Sequence, residues 1–327
     1  MSSNGVQRTT APPRPASDAT SQGGRSTADV PQRTARLMRA ATVASIGTAI
    51  TLILVKLGAW LATGSIAVLS SLADSLLDAA ASLLNLFAIH HSLAPADREH
   101  RFGHAKAEPL SALAQSAFVA GSGALLVVQA ISRLYAPEPL RNEAIGVGVM
   151  IVSTIVTVAL VTFQNYVLRQ TKSVAIGADT LHYTGDVLIN GSVLVSLLLS
   201  AWFGWFVTDP LFGAAIAIYL MVTSYRIGRG ALDLLMDREL PDAERQRIRQ
   251  IVLANPEVRA VHDLRTRSDG RNTFIQVHVE MDPGITLMRA HEIGDAVEAA
   301  LHQAFPHAEI MLHQDPAGLE EPRPRFV

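Results

Sequence analysis

The chain has 327 residues, of which 49% are hydrophobic and 17% are charged, and its formal net charge is −2. Soluble domains carry about 25% charged residues, so the shortfall indicates a membrane protein with a soluble part attached. The small net charge argues against nucleic-acid binding. The absence of cysteine excludes disulfides, iron–sulfur clusters and thiolate metal sites. Any transition-metal site must therefore be built from His, Asp and Glu.

Residues 1–34 are rich in Ser, Thr, Pro, Gly and Arg and contain few large apolar residues. Such a segment cannot bury enough apolar surface to fold, so we predict a disordered N-terminal tail. Its Arg-rich composition weakly resembles an organelle transit peptide, but it lacks the amphipathic apolar face of one.

Six apolar segments follow, each near the roughly 20 residues that a membrane-spanning helix needs. They lie at about 40–62, 66–92, 109–134, 144–168, 174–204 and 208–230. Together they predict a six-helix transmembrane domain over residues 35–236. Arg and Lys are concentrated in the loops on the side of the bilayer that holds both chain ends, which predicts cytoplasmic termini.

From about residue 238 the composition becomes that of a soluble domain. The sequence predicts a helix at 241–255, two strands around an Asp269–Gly270 turn, an amphipathic helix at 286–305 and a last strand at 307–315. The order αββαβ predicts a small C-terminal α+β domain over residues 237–316, followed by a short tail at 317–327.

Carboxylates interrupt the second apolar segment, at a cost of several kcal/mol each on membrane-insertion scales. Asp74 and Asp78 are four residues apart and therefore share one helix face. His182 and Asp186 repeat this spacing in the fifth segment. Two such helices facing each other would offer three carboxylates and one imidazole, which suits a four-coordinate divalent metal. The alternative, that each residue faces water or bonds a neighbouring helix, explains two matched pairs poorly.

Two further groups of His and Asp lie outside the spans. The loop between the second and third spans contains Asp97, His100 and His104, and spacing alone leaves open whether they bind metal or are ordinary loop residues. The soluble domain contains a scattered set on polar faces or element ends, which favours a site although a lone surface histidine is usually solvated. That set is His262, His278, His291, His313 and Asp315.

Several motifs together resemble the cation diffusion facilitator family, over about residues 36–316. They are LADSLLDAAASLLNL, SLAPADREHRFGHAKAE, VTFQNYVLRQTKSVAIGADTLHYTGDVLING, LLMDRELPD, VHDLRTR, FIQVHVEM and LHQDP. The resemblance implies a homodimer of six-helix protomers, each with a metallochaperone-like cytoplasmic domain. It also implies an interlocking ion pair between Lys106 and Asp237, two residues at the cytoplasmic membrane boundary that the sequence alone does not join.

The resemblance assigns each group of residues a role. Asp74, Asp78, His182 and Asp186 match the transport site, and Asp97, His100 and His104 match a loop site. The His262, His278, His291, His313 and Asp315 set matches cytoplasmic sites thought to stabilise the dimer when zinc is bound.

The function expected is efflux of a divalent cation across the bacterial inner membrane in exchange for protons, by alternating access. The mixed imidazole and carboxylate set favours Zn²⁺, with Cd²⁺, Fe²⁺ and Co²⁺ as further candidates. A membrane-anchored metal sensor without transport is the alternative, but it leaves the intramembrane residues unexplained. A metal-independent proton-coupled exporter would need a roomy polar cavity. An enzyme is not expected, because HEIGD is not the HExxH of zinc proteases and YTGD is not the GxGD of intramembrane aspartyl proteases.

Overall fold

The computed structural model describes residues 32–135, 144–203 and 208–318. Six long helices come first, each long and apolar enough to cross a membrane. They are α1 (Gln32–Thr63), α2 (Ile66–Ser92), α3 (Ala107–Tyr135), α4 (Ala144–Thr171), α5 (Val174–Phe203) and α6 (Thr208–Leu235). The six-span prediction is therefore confirmed.

The first helix starts earlier than the predicted span. Residues 32–34, predicted as part of the tail, form its first turn, because a helix extends cheaply into polar residues once its apolar body has formed. The rest of the predicted tail, residues 1–31, lies outside the described residues, as do residues 319–327 of the predicted C-terminal tail.

Many large apolar side chains of the membrane half of the chain face outward, while small and polar residues are buried between the helices. Leu61 is 72% exposed and Leu125 is 66% exposed, whereas Ser45 and Ser82 are fully buried. This is the arrangement expected where lipid is as apolar as leucine, so that small and polar residues hold helices together. The interior is therefore suited to polar chemistry.

Glycine lies in the most extensive helix–helix contact among the described residues, between α3 and α6. A Cβ atom at Gly228 would lie 3.2 Å from the Ser116 Cβ, and one at Gly123 would lie 3.0 Å from the Met221 Cγ. A side chain at either position would require the facing residue to shift by a few tenths of an ångström, so glycine favours this close approach.

The C-terminal domain contains α7 (Asp242–Leu253), β1 (Ala260–Ser268), β2 (Thr273–Met281), α8 (Leu287–Ala304) and β3 (Ala308–Pro316). The sheet order is β1-β2-β3, with β1 antiparallel and β3 parallel to the central strand. This confirms the predicted αββαβ order.

Strand β2 is two-faced, as its alternating sequence predicts. Ile275, Val277 and Val279 are buried against the two helices, while His278 and Glu280 lie on the opposite face. The polar face of the sheet is thus available for a site, and the apolar face forms the core.

The tip of the β1–β2 hairpin joins the soluble domain to the membrane domain. Gly270 adopts a positive φ of 96°, and the Asp269 carboxylate accepts hydrogen bonds from the backbone N–H groups of Arg271 and Asn272. This turn directs Arg271 to the membrane domain, where its guanidinium donates to the Ser92 carbonyl at 2.6 Å and to the Glu108 carboxylate at 2.8 Å.

Aromatic contacts complete this junction. The Phe102 ring of the α2–α3 loop packs edge-on against the Phe274 ring of β2, with centroids 5.9 Å apart. The Arg267 guanidinium lies over both rings, 5.1 Å from the first centroid and 4.2 Å from the second. Phe274 is therefore buried although the strand pattern places it on the polar face.

Candidate metal centres

An intramembrane group forms where α2 and α5 meet. The Asp78 Oδ1 lies 3.0 Å from the His182 Nε2, and their side chains are 15% and 9% exposed. One donor atom each from Asp78, His182 and Asp186 lies within 4.8 Å of the others, which is compatible with ligation of one ion. The i,i+4 spacing on α5 brings two of the three donors to one face.

Asp74 is not part of this group. It lies one turn before Asp78 on α2, is exposed, and is absent from the set of converging donors. Its assignment as a fourth ligand stays a prediction.

A buried polar network that the sequence analysis missed lies one helical turn from the intramembrane group. The Asp179 carboxylate is 1% exposed and accepts hydrogen bonds from Ser45 Oγ at 2.8 Å and Gln164 Nε2 at 2.6 Å. The Ser82 hydroxyl connects Ser45, at 3.0 Å, to Tyr183, at 2.8 Å. The network joins α1, α2, α4 and α5 around the site. Its only sequence signal was one more aspartate three residues before His182.

The loop triad is also brought together: donor atoms of Asp97, His100 and His104 lie within 4.8 Å of one another. The His104 Nδ1 lies 3.2 Å from the Pro95 carbonyl, which can only accept, so this nitrogen carries the proton. The other nitrogen, Nε2, then presents its lone pair 3.4 Å from the Asp97 Oδ2. This hydrogen bond orients the free nitrogen as supporting contacts orient ligand nitrogens in metal sites.

The Asp97 carboxylate is held by the backbone. Its Oδ1 accepts from the N–H groups of His100 at 2.6 Å and Glu99 at 2.9 Å. The hydrogen bond from His100 lowers the pKa of Asp97 below its ordinary value, so the carboxylate is charged and able to bind a cation at neutral pH.

The register of the three strands brings the residues of the cytoplasmic group together. His278 on β2 stands directly opposite His262 on β1 and His313 on β3, so three imidazoles form a row across the sheet. The His278 Nδ1 donates to the Asp315 carboxylate at 2.8 Å, and the His313 Nε2 lies 3.1 Å from the same carboxylate. His262, His278 and Asp315 offer donor atoms within 4.8 Å of one another.

Two further carboxylates, not assigned from the sequence, border this group. Glu280 Oε1 lies 2.9 Å from the His262 Nδ1, and Asp263 Oδ2 lies 3.8 Å from the His278 Nε2. Both ring nitrogens of His262 are buried and make no hydrogen bond within the described residues. Orphaned imidazole nitrogens facing carboxylates suit a divalent cation. The sequence did contain a signal for Glu280, because the alternation of apolar and polar residues in β2 puts Glu280 on the same face as His278.

Asp263 is placed by a bulge in β1. The pairing register shifts between His262 and Arg265, and Asp263 has a positive φ of 44°. Hydrogen bonds from the Arg265 guanidinium lower the pKa of Asp263 and keep it ionised beside the histidines.

His291 does not join the cytoplasmic group within the protomer. It lies on α8, is exposed, and its Nδ1 is 3.6 Å from the Asp295 carboxylate one turn later. Its role as a ligand stays a prediction.

Lys106 and Asp237 lie together at the junction. The Lys106 Nζ donates to the Asp237 Oδ1 at 2.8 Å, and the Arg267 guanidinium lies 3.4 Å from the same oxygen. Partial burial raises the pKa of Asp237, but the hydrogen bond from Lys106 and the two positive charges outweigh it, so the pKa is lowered.

Family models match both halves of the chain. The cation efflux transmembrane domain matches residues 42–236, and the cation efflux protein cytoplasmic domain matches residues 240–317. Among solved structures, CzrB in its Zn form is 33% identical, covers 26% of this chain and 99% of that chain, and has a TM-score of 0.25. A variant of MamM CTD in its manganese form is 32% identical, covers 23% of this chain and 96% of that chain, and has a TM-score of 0.22.

Full-length relatives show the same family. The cation-efflux pump FieF of Salmonella choleraesuis is 47% identical over 284 residues, covering 87% of this chain and 94% of that pump. The pump of the same name from Klebsiella pneumoniae subsp. pneumoniae is 48% identical, with the same coverage. The chain thus belongs to the cation efflux, or cation diffusion facilitator, family, and is a multi-pass membrane transporter for divalent metal cations.

Proposed function

We propose that this protein exports Zn²⁺ across the bacterial inner membrane in exchange for protons, with both termini in the cytoplasm. The observation that carries the proposal is the convergence of Asp78, His182 and Asp186 between two apolar helices. Carboxylates are expensive inside a bilayer, and a divalent cation compensates that cost where they meet. Asp74 is proposed to join this set when the site is loaded.

The donor set supports the choice of metal. Carboxylate oxygens with one imidazole nitrogen suit Zn²⁺ and Cd²⁺, and they also accept Co²⁺ and Fe²⁺. A set made only of carboxylates would instead favour Mn²⁺. A flux panel with Zn²⁺, Cd²⁺, Fe²⁺ and Mn²⁺ on the unmodified protein ranks these ions directly.

Proton exchange follows from the chemistry of the ligands. Protons and the cation compete for the same lone pairs on imidazole and carboxylate, so protonation on the far side favours release. Alternating access supplies the second requirement, because the buried site has to open to one side at a time. The polar network around Asp179 joins α1, α2, α4 and α5 beside the site, and it would have to rearrange if these helices moved relative to one another.

The remaining groups are proposed as resident metal sites. The cytoplasmic cluster would sense zinc and stabilise a homodimer, with His291 contributing there, and the loop triad Asp97, His100 and His104 would bind a further ion. Lys106 and Asp237 would secure the junction beside it.

The experiment is zinc flux into proteoliposomes under an imposed pH gradient, with internal zinc and pH both recorded. Asp78→Ala and His182→Ala are expected to lower the initial zinc flux at least about 100-fold, because each removes a charge or a ligand that the loaded site requires. His302→Ala is the matched control, since this exposed histidine on α8 lies beside Glu298 and far from the spans.

Three results would contradict parts of the proposal. Unchanged flux in both variants would remove the site assignment. Zinc flux without counterflow of protons would remove the exchange. Zinc binding to the cytoplasmic cluster without any flux in the unmodified protein would instead identify a membrane-anchored sensor.

A further inference from the structure

The last turn of α2 places one more histidine beside the loop triad. The His91 ring contacts the His104 ring edge-on, with centroids 4.4 Å apart and planes at 67°. On its other side the His104 ring lies 4.6 Å from the His100 ring. The most buried ligand of the triad is therefore flanked by two imidazoles, one from the loop and one from the helix.

We propose that His91 is a fourth protein ligand of the loop site, which makes that site a closed, four-coordinate zinc centre. The inference rests on the proposed function of Asp97, His100 and His104 as a metal site. It adds a ligand from a separate secondary-structure element.

The spacing of the rings is compatible with shared ligation. With Zn–N bonds of about 2.0–2.1 Å and tetrahedral angles, two bound imidazoles have ring centres roughly 5 Å apart. The group of donor atoms within 4.8 Å holds the triad without His91, so the His91 ring has to turn to join it. The side chain is exposed at the helix end, so this rotation displaces no buried atom.

The fixed part of the site is already prepared for zinc. The Pro95 carbonyl accepts from the His104 Nδ1, and backbone N–H groups of Glu99 and His100 hold the Asp97 carboxylate in place. The exposed rings of His91 and His100 then complete a set of three nitrogens and one oxygen. A set of three imidazoles and one carboxylate binds Zn²⁺ in preference to Mg²⁺ or Mn²⁺.

A fourth protein ligand changes what the site does. Zinc sites with three protein ligands keep an open position for exchange, whereas four protein ligands make a closed structural site. Zinc bound by His91 and His104 would fasten the end of α2 to the loop just before α3. Arg271 fastens the same two helix ends through Ser92 and Glu108, so the ion would stiffen the membrane–cytoplasm junction.

The test uses the full chain in detergent with the other centres removed by Asp78→Ala, His182→Ala, His262→Ala and His278→Ala. Zn²⁺ is the probe. His91→Phe keeps an aromatic ring against His104 but removes the ligand nitrogens. His90→Phe is the matched control in the same helical turn, and His104→Phe reports whether the loop site exists. Zinc X-ray absorption counts bound imidazoles, and chelator competition gives affinity and release rate.

We expect three imidazoles in the background protein and two in His91→Phe, with affinity at least about tenfold weaker and faster release of zinc. His90→Phe should match the background protein. If His104→Phe abolishes binding while His91→Phe leaves the imidazole count and affinity unchanged, the fourth ligand is wrong and the triad stands. If His104→Phe also binds zinc unchanged, the loop site itself is wrong, and this inference fails with it.

Discussion

The intramembrane group and the cytoplasmic group contain the same types of side chain, His and Asp, but they are assembled in different ways. In the membrane, donors come from successive turns of two helices, and Asp78 and His182 meet with little exposure. In the cytoplasmic domain, three histidines line up across a sheet because His278 pairs with His262 and His313. The first group is placed by helix packing and the second by strand register.

The two groups also differ in the supply of ligands. The intramembrane group has three converging donors, supported by a network of neutral donors around Asp179. The cytoplasmic group has its own three donors and two additional carboxylates, Glu280 and Asp263, close by. A site with few ligands can release its ion, whereas one with surplus ligands retains it. Under the proposed function, this contrast distinguishes the transport site from a resident one.

The prediction with the largest expected effect tests whether the two groups have separate roles. His278→Ala removes the central imidazole of the cytoplasmic row, and we expect zinc flux to fall by no more than about fivefold while zinc-dependent thermal stabilisation of the soluble domain is lost. Asp78→Ala should do the reverse, losing flux at least about 100-fold and keeping that stabilisation. Thermal unfolding with and without Zn²⁺, beside flux, measures both. Loss of flux in His278→Ala as severe as in Asp78→Ala would mean that the two groups are not separate.

The second prediction concerns the junction between the two regions. Arg271→Met leaves the buried Glu108 carboxylate without its partner, since their side chains are only 13% and 7% exposed. Breaking such a buried pair destabilises the folded state by about 3 kcal/mol. We therefore expect the α2–α3 loop to open more easily, and native-state hydrogen exchange of its backbone amides measures this.

The matched control is Arg289→Met. This arginine pairs with Glu257 and Glu292 on the surface, where its side chain is 48% exposed. Exposed pairs contribute about 0–1 kcal/mol, so loop opening should not change. Equal effects of the two substitutions would show that Arg271 does not connect the domains.

The smallest of the three effects tests the network beneath the intramembrane group. Asp179→Ala leaves the Ser45 hydroxyl and the Gln164 amide without their acceptor. Because a buried unsatisfied group costs about 1–3 kcal/mol, we expect the free energy of unfolding to fall by that amount. Thermal unfolding in detergent should show the loss. Thr51→Ala is the control, because that exposed hydroxyl donates to the Gly47 carbonyl of its own helix. An unfolding temperature unchanged by Asp179→Ala would mean that the network does not stabilise the bundle.

Local sequence patterns predicted most of the architecture. Six apolar runs predicted the spans, and the alternation around His278 predicted a two-faced strand. The i,i+4 spacing of His182 and Asp186 predicted a shared helix face. These features depend on the period of a single helix or strand, so nearby residues contain the information.

By itself, the sequence determined the spans and the αββαβ order and indicated most of the candidate metal-binding residues, because each follows from composition and local period. Only the tertiary structure decided that His262, His278 and His313 share a row, and that Asp179 faces Ser45 and Gln164. The tertiary structure likewise decided that Arg271 contacts the membrane domain. The reason is physical: register and helix packing join residues far apart along the chain, and no local period records which of them will meet.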